Sequence, residues 1–442
     1  MQEDLRGFLE KLEKADLLQR IPREVDPRFE LPAVAKKVER LGKALVFEKV
    51  KGSDLPVVTN VFGSRTMLAM IFDTTPEDVV REFMKRSEAR IAPVIVGEGP
   101  CKEVIKLGDE ANIDELPLVT HCEKDAGPYV TAGIIVAKDP ETGRRNVSTN
   151  RMMYKGPHTL ACRMMPPQHL GIIQGKAEAK GIPLEIAVCV GNHPLENLVA
   201  ATTLAYGDDE FALAGALRRH PLELVKCETV DLEVPATSEV VLEGEILANV
   251  REPEGPFGDL MQYYVPIMDN HVFRLKAITH RKDPWWQTIQ ASSLEDVHLL
   301  ALSREAKLMR AVEQSGAKVK AVSLVPTIMS AAISIEKQFE GEPKNVAAAA
   351  FGAYSWLKYC VVVDHDVDVF DINDVWWAMA TRSDVGKGLL QIEGALGFPR
   401  DLFQIHQSKL GIDATAPLNQ WQEFERKRVP GTDTLNLQDY LG

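Results

Sequence analysis

Between Pro128 and Thr279 the chain carries a succession of β-patterned runs separated by turn residues, which commits its centre to a strand-rich architecture. Val130–Ala137 is followed by Asp139-Pro-Glu-Thr-Gly143, which has hairpin-turn chemistry, so Asn146–Tyr154 is expected to return antiparallel to it. His169–Gln174, Leu184–Val190, Glu239–Leu247 and Val272–Thr279 read as further strands, and Gly207–Leu217 as a helix with acids at its start. So many short strands with turns between them point to a barrel or a sandwich.

The flanks have a different texture. Leu5, Phe8, Leu9 and Leu12 sit at helical spacing, Pro32–Leu41 reads as a second helix, and Ala44–Lys49 and Pro56–Asn60 as strands. Thr75 is expected to cap a third helix, and a small α/β domain ends near residue 110. After the strand-rich block, Leu294–Val312 is a long amphipathic helix. Val319–Val325, Ala331–Ile335 and Tyr359–Val363 read as strands, and Lys344–Leu357 and Asp374–Arg382 as helices of a second α/β unit. Beyond Pro417 the chain is polar, and Arg426-Lys-Arg428 reads as a solvated run.

A chain of 442 residues is long for one domain. The net charge of −13 argues against general nucleic-acid binding or attachment to anionic lipid. The six cysteines form no CxxC pair, which disfavours zinc ribbons and disulfide frameworks and fits a reducing cytoplasm. The N-terminus has no apolar signal core, and no apolar run is long enough to cross a bilayer. There is no GxGxxG, P-loop, GxSxG or HExxH pattern, so Rossmann dinucleotide binding and serine-hydrolase or zinc-protease chemistry are disfavoured.

Three stretches carry candidate chemistry. The loop Val250–Tyr264 interleaves Glu252, Glu254 and Asp259 with glycines and prolines. It is either a solvated acidic loop or, given Phe257, Leu260, Met261 and the tyrosine pair, one folded inward. Carboxylates beside apolar groups can serve as proton donors. On the Asn146–Tyr154 strand, alternation turns Asn146, Ser148 and Asn150 one way and Arg151 the other. Singly, Asn146, His169 and Glu210 have ordinary structural explanations. Together they form an oxygen-and-nitrogen set suited to Mn²⁺ or Mg²⁺, able to bridge a cofactor phosphate.

Over nearly its whole length the chain resembles the UbiD family of reversible decarboxylases. The resemblance rests on Asn146-Val-Ser-Thr-Asn-Arg151, Pro167-Gln-His169, the Glu210 segment with Gly215-Ala-Leu217, Val225-Lys-Cys227, Val234-Pro-Ala-Thr-Ser-Glu239, Glu254-Gly-Pro-Phe-Gly-Asp259 and Ser408-Lys-Leu-Gly-Ile-Asp-Ala-Thr415. It implies prenylated FMN as cofactor, held in a central split β-barrel resembling flavin reductases. The expected plan is an N-terminal α/β domain (1–110), the barrel (111–293), a connector helix (294–314), a C-terminal α/β oligomerisation domain (315–415) and a tail (416–442). Asn146, His169 and Glu210 match the family's divalent-metal ligands, with a potassium ion nearby. Arg151, Glu254 and position 259 match its Glu–Arg–Glu catalytic network; the last is Asp here, and its shorter side chain changes the reach. Gln168 and Lys409 match residues that reach the flavin.

The resemblance further implies an aromatic or heteroaromatic acid as substrate and CO₂ as product. A flavin prenyltransferase is implied as cofactor supplier, and a homo-oligomer, dimer or hexamer, as the assembled form. Within the family the chain is most similar to 2,5-furandicarboxylate decarboxylases, with hydroxybenzoate-type decarboxylases as the alternative. A diacid needs a partner for its second carboxylate, and His298 and Arg304 at the start of the long helix are the candidates. A catalytically silent flavin-binding protein would lack Arg151, Glu254 or an acid at 259, and all three are present. A metal-dependent hydrolase would need a metal open to water and no flavin.

Overall fold

Asp4 accepts a hydrogen bond from the Gly7 amide and so opens helix α1 (Leu5–Lys14), which buries Leu5, Phe8, Leu9 and Leu12 on one face. The computed structural model describes residues 3–165, 167–324, 326–399, 406–427, 429–432, 434–436 and 438–441. Pro166, before His169, Val325, at the end of an expected strand, and Arg428, in the basic run, lie outside the described residues. The fold is mixed α/β. It divides into two compact units, Met1–Lys307 with Leu324–Ile328, and Leu308–Ser323 with Met329–Gly442.

In the first unit, β1 (Leu18–Ile21) pairs parallel with β2 (Ala44–Phe47), and β2 pairs antiparallel with β3 (Val57–Thr59). The short strand Trp286–Gln287 completes this sheet. Helix α2 (Glu30–Val38) passes into a 3₁₀ turn at Glu39–Leu41, and α3 (Arg65–Phe72) is capped by Ser64. The helix expected to start at Thr75 starts at Val79 instead (α4, Val79–Arg86). The Thr75 hydroxyl bonds the Asp78 carboxylate at 3.2 Å rather than a helix amide.

The main sheet has nine strands among the described residues. In chain order they are β4 (Val104–Leu107), β5 (Tyr129–Val130), β6 (Ile134–Lys138), β7 (Arg145–Thr149), β8 (Met152–Gly156), β9 (Thr159–Cys162), β10 (Leu184–Val190), β11 (Val240–Glu254) and β12 (Met268–His280). They run β5-β8-β9-β12-β11-β10-β6-β7, with β4 on β12. Ile135, Ile186, Val188, Leu242, Ile246 and Phe273 share one core.

Three expectations are corrected here. Asn146–Tyr154 is two strands: β7 pairs with β6, whereas β8 pairs with β9 and β5. Asn150 ends the first, its side chain bonding the Ser148 hydroxyl and the Arg163 carbonyl in competition with the ladder. His169–Gln174 is not a strand but the first half of helix α5 (His169–Ala179), which buries Leu170, Ile173 and Ala177 at spacings of three and four. The six-residue window was too short to separate the two periods. Finally, β11 runs on to Glu254, because the polar Arg251-Glu-Pro-Glu254 stretch continues its ladder with β12 as far as Glu254↔Met268.

Helices α6 (Pro194–Ala200) and α7 (Glu210–Arg218) follow β10, and α8 (Leu294–Gln314) follows the sheet. Asp209 caps α7 by accepting from the Phe211 amide. The buried Glu295, in the first turn of α8, accepts from the Asn60 and Val61 amides, each at 2.7 Å.

Among the described residues, the second unit holds a five-stranded sheet of β13 (Val319–Ser323), β14 (Ser330–Ile335), β15 (Tyr359–Asp364), β16 (Leu389–Leu396) and β17 (His406–Ala414), ordered β13-β14-β15-β17-β16. Helix α9 (Glu342–Ala353) packs on β15 and β17, and α10 (Ile372–Arg382) buries Val375 and Ala378. Arg426 is not the solvated residue expected from its basic run. It pairs with Asp374 at 2.8 Å and lies over the Trp377 ring at 4.2 Å. Among the described residues, no helix is long and apolar enough to cross a membrane.

Candidate active site

The acidic loop folds inward. At the end of β11 the chain turns through Gly255, whose φ of +98° suits glycine and whose added Cβ would meet the Pro266 carbonyl oxygen at 3.1 Å. Phe257–Gly258 then pairs with Tyr264–Val265 in a small hairpin. This path carries Glu254 and Asp259 to one cation, Arg151, placed at the break between β7 and β8. Arg151 Nε and Nη2 donate to the two oxygens of Glu254 at 2.9 and 3.1 Å, and Nη1 donates to Asp259 at 2.7 Å.

The Glu254 side chain is fully buried, and those of Arg151 and Asp259 are about a tenth exposed. The guanidinium also lies 4.5 Å from the centre of the Phe257 ring. Burial pulls its pKa down, but hydrogen bonding to Glu254 and the charges of Glu254 and Asp259 outweigh this and raise it, so Arg151 stays a cation.

Two polar groups that residue pattern did not reveal support this triad. Asn270 on β12 donates to Glu254 at 2.9 Å. Asp125 accepts from the Cys122 and Gly258 amides, each at 2.8 Å, and the Ala126 amide bonds the Pro256 carbonyl at 3.0 Å, stapling 122–126 to the hairpin. The approach is close enough that a Cβ on Gly258 would meet Cys122 Sγ at 2.7 Å. Glu252, third acid of the loop, points outward towards Lys155 at 3.8 Å. Tyr263 and Tyr264 are also exposed rather than turned inward, since the strand pairing of Tyr264 puts its ring outside, where its hydroxyl accepts from the Lys124 amide.

A second polar contact joins β7 and α7, and α5, which carries His169, packs on the same strand. The Asn146 amide donates to one oxygen of Glu210 at 3.1 Å and the Val147 amide to the other at 2.8 Å. Asn146 Oδ1 is buried without a hydrogen-bond partner, and burial pushes the Glu210 carboxyl up to about 7. His169 opens α5, edge-on to Tyr206 at 5.2 Å; burial lowers its pKa while the charge of Asp208 opposes the change. Among the described residues, no three His, Cys, Asp or Glu side chains gather around a metal position. This set has two such residues and an amide oxygen. The lone amide oxygen, the buried carboxylate and the imidazole are donors that suit a hard or borderline divalent cation.

Three family models cover the chain: the N-terminal domain of 3-octaprenyl-4-hydroxybenzoate carboxy-lyase matches residues 9–87, its Rift-related domain 94–293, and its C-terminal domain 297–414. The anhydromevalonate phosphate decarboxylase of Methanothermobacter thermautotrophicus is 36% identical over 428 residues, spanning 96% of this chain and 99% of the relative. This chain belongs to the UbiD family of carboxy-lyases. The UbiD-class enzyme HmfF from Pelotomaculum thermopropionicum, solved with FMN, superimposes with a TM-score of 0.95 at 42% identity, over 99% of this chain and all of that one. An evolved dimeric form of the same enzyme was solved with prFMN, at a TM-score of 0.91 over both whole chains and 42% identity. The phenolic acid decarboxylase of Sedimentibacter hydroxybenzoicus is 34% identical over 94% of this chain and 92% of its own.

The remaining candidates of this UbiD-family chain are placed as follows. Gln168 is exposed immediately before α5. His298 is buried in α8, and its Nδ1 faces the Phe62 carbonyl oxygen at 2.8 Å, so Nδ1–H donates and Nε2 keeps its lone pair in the neutral ring. Burial lowers its pKa. Arg304, half-buried, bonds the Leu300 carbonyl of its own helix. Lys409 lies in the second unit, donating to the Ser355 and Leu357 carbonyls, each at 2.7 Å, with its pKa lowered by burial.

Proposed function

We propose that this chain is a reversible, non-oxidative decarboxylase of an aromatic or heteroaromatic acid that uses prenylated FMN, converting furan-2,5-dicarboxylate to 2-furoate and CO₂. The observation that carries the reading is the buried Arg151 held between Glu254 and Asp259 at 2.7–3.1 Å. Bound prenylated FMN supplies the electron sink that loss of CO₂ from an sp² carbon requires. Arg151 orients the departing carboxylate through paired N–H donors, and Glu254 fixes the guanidinium in place. The C–C bond breaks, the carboxylate leaves as CO₂, and the proton that replaces it on the ring carbon is taken from solvent and passed on by the Asp259 carboxyl.

Asn146, His169 and Glu210 would hold Mn²⁺ or Mg²⁺ for the cofactor phosphate, with K⁺ as a second cation, and Gln168 would serve the flavin. Arg304 and, once it is protonated at Nε2, His298 receive the second carboxylate of the diacid, which favours furan-2,5-dicarboxylate over a hydroxybenzoate-type acid. The main sheet serves as the split β-barrel of a flavin-reductase-like cofactor domain (111–293) between the N-terminal domain (1–110) and the connector helix (294–314). The C-terminal domain (315–415), followed by the tail (416–442), mediates homo-oligomerisation. The enzyme works in the cytoplasm, where a flavin prenyltransferase supplies its cofactor. The solved complexes of HmfF with FMN and prFMN and the sequence resemblance to 2,5-furandicarboxylate decarboxylases support this reading.

The test is CO₂ release across a panel of aryl and heteroaryl acids by protein matured with prenylated FMN. Furan-2,5-dicarboxylate is expected to be turned over fastest; preference for a hydroxybenzoate would favour the alternative. Protein from a strain lacking the prenyltransferase should be inactive and regain activity with reduced prenylated FMN, and full activity from that strain rejects the cofactor. Arg304→Ala should raise KM for the diacid by at least tenfold while sparing a comparable monoacid, and equal losses on both give Arg304 a structural role.

A further inference from the structure

Helix α8 is tied to the first unit through one side of its opening turns. Glu295, His298, Leu302 and Glu305 follow one another at spacings of three, four and three, which puts them on a single face, and all four are buried. That face meets the tract Thr59–Arg65, which leads from the end of β3 into α3. Glu295 Oε2 accepts from the Asn60 amide at 2.7 Å and from the Thr59 hydroxyl at 3.2 Å, and Oε1 accepts from the Val61 amide at 2.7 Å. One turn on, His298 Nδ1 donates to the Phe62 carbonyl at 2.8 Å. Two turns further, Glu305 pairs with Arg65 at 3.0 Å.

The tract is shaped to receive a carboxylate. Asn60 has a φ of +64°, so the successive amides of Asn60, Val61 and Phe62 turn towards one anion instead of along a strand. The Asn60 side chain donates to the Lys43 carbonyl at 2.6 Å, which fixes the start of the turn. Gly63 closes it, where an added Cβ would lie 2.4 Å from the Asn60 side-chain amide. A glutamine at 295 keeps the shape of the acid but not its acceptors. Each oxygen position faces a backbone N–H, so the NH₂ of an amide is set against one of them.

His298 takes its tautomer from the same turn. A carbonyl only accepts, so Phe62 holds a proton on Nδ1 and leaves Nε2 as the nitrogen that takes up a further proton to meet a carboxylate. Phe62 lies beyond β3, so its carbonyl is placed by the turn and not by a strand ladder. We infer that Glu295 is a positioning residue for substrate choice: it locks the Asn60–Phe62 turn to α8 and so holds His298 with Nδ1 on Phe62 and Nε2 left for the second carboxylate of a diacid. This rests on the proposed furandicarboxylate reading and extends it to a residue that touches no substrate.

The experiment reads the His298 tautomer beside the kinetics of Glu295→Gln. In ¹⁵N spectra of protein labelled at histidine, the His298 signals are assigned by their loss in His298→Gln. The wild type should show the Nδ1–H form, and Glu295→Gln should move His298 to the Nε2–H form or to exchange between the two. Matured with prenylated FMN, the same variant should raise KM for furan-2,5-dicarboxylate by about tenfold, the scale of a lost charge-assisted hydrogen bond, with kcat changed by less than about threefold. Glu295→Gln added to His298→Gln should raise KM no further, because the first acts through the second. Thr59→Val removes only the hydroxyl bond to Glu295. It is read in the same way, with a smaller shift in the same direction, should Glu295→Gln not fold. A His298 tautomer unchanged in the folded variant, or KM increases that multiply in the double variant, overturns the assignment. A wild-type enzyme that releases no CO₂ from the diacid fails the proposed function instead, and the ¹⁵N result still decides whether Glu295 positions His298.

Discussion

Arg151 is buried among groups that keep it charged, so the chemistry available at this site depends on which neighbours are ionised. Glu254→Gln and Asp259→Asn each preserve shape and remove a charge or an acidic proton. Each should lower kcat for CO₂ release by about 10²–10⁴-fold while flavin absorbance and Tm stay close to wild type. Wild-type rates in either variant remove that residue from the reaction. His169→Ala should act differently, reducing the Mn²⁺ and flavin retained after gel filtration, because it removes a proposed ligand and leaves the triad intact. At this scale the sequence was informative through its family resemblance: Glu254 and Asp259 both bond Arg151, the three residues that the resemblance grouped. Asn270 and Asp125 carried no such signal. Each is an ordinary polar residue whose role comes from strand register or from a loop packed against Gly258, neither of which a single sequence displays.

Helix α5 shows how elements are tied together by charge. Near its C-terminal end, Glu178 takes two bonds from Arg251 of β11, at 2.7 and 3.0 Å, and one from the Asn249 amide at 3.1 Å. Hydrogen bonding to Arg251, followed by that to Gln174 and the Asn249 amide, outweighs burial and holds the carboxyl down to about 2. An unfolded glutamate titrates near pH ~4.3. A carboxylate whose folded value lies below its unfolded one adds stability above that unfolded value and loses it as pH falls through the folded one. Arg251→Gln should therefore lower Tm by roughly 2–4 °C above pH ~5, and the gap to wild type should close as pH falls towards about 2. A gap that stays constant with pH rules out this linkage.

The elements also show where sequence patterning runs out. The nearly continuous apolar run Leu184–Val190 gave its strand directly, at the same bounds. The start of α5 did not, because six residues flanked by prolines and glutamine fit either period. The last third of β11 was hidden by residues that normally mark turns and are held in the ladder only by β12. Similarly, Arg426 reads as solvated until Asp374 and Trp377 meet it, more than forty positions away in the chain.

For the assembled molecule, the second unit bears on self-association through what it leaves exposed. The alanine-rich α9 is largely spent on its own unit: Val346, Ala347, Ala350 and Phe351 are buried, and Ala347 meets β17 so closely that a Cβ on Gly411 would lie 2.8 Å from its own. Helix α10 differs. Its inner face carries Val375, Ala378 and Arg382, whereas Ile372 and Trp376, four residues apart and so neighbours on the helix surface, are 56% and 68% exposed. Trp377 is not available in the same way, since Arg382 and Arg426 lie over its ring. An exposed tryptophan beside an isoleucine is the composition of an interface centre more than of a solvated face. If the C-terminal domain mediates homo-oligomerisation as proposed, Trp376→Glu should shift the particle to lower mass in light scattering at micromolar concentration. Circular dichroism should be unchanged, because the side chain supports no core contact. Arg426→Gln, which acts on the half-buried Trp377 instead, should lower Tm and leave the assembly intact. A wild-type protein that is monomeric under the same conditions removes the interface. A Trp376→Glu protein with undiminished mass moves it to another face, since a buried unpaired carboxylate at a close-packed contact is too costly to retain.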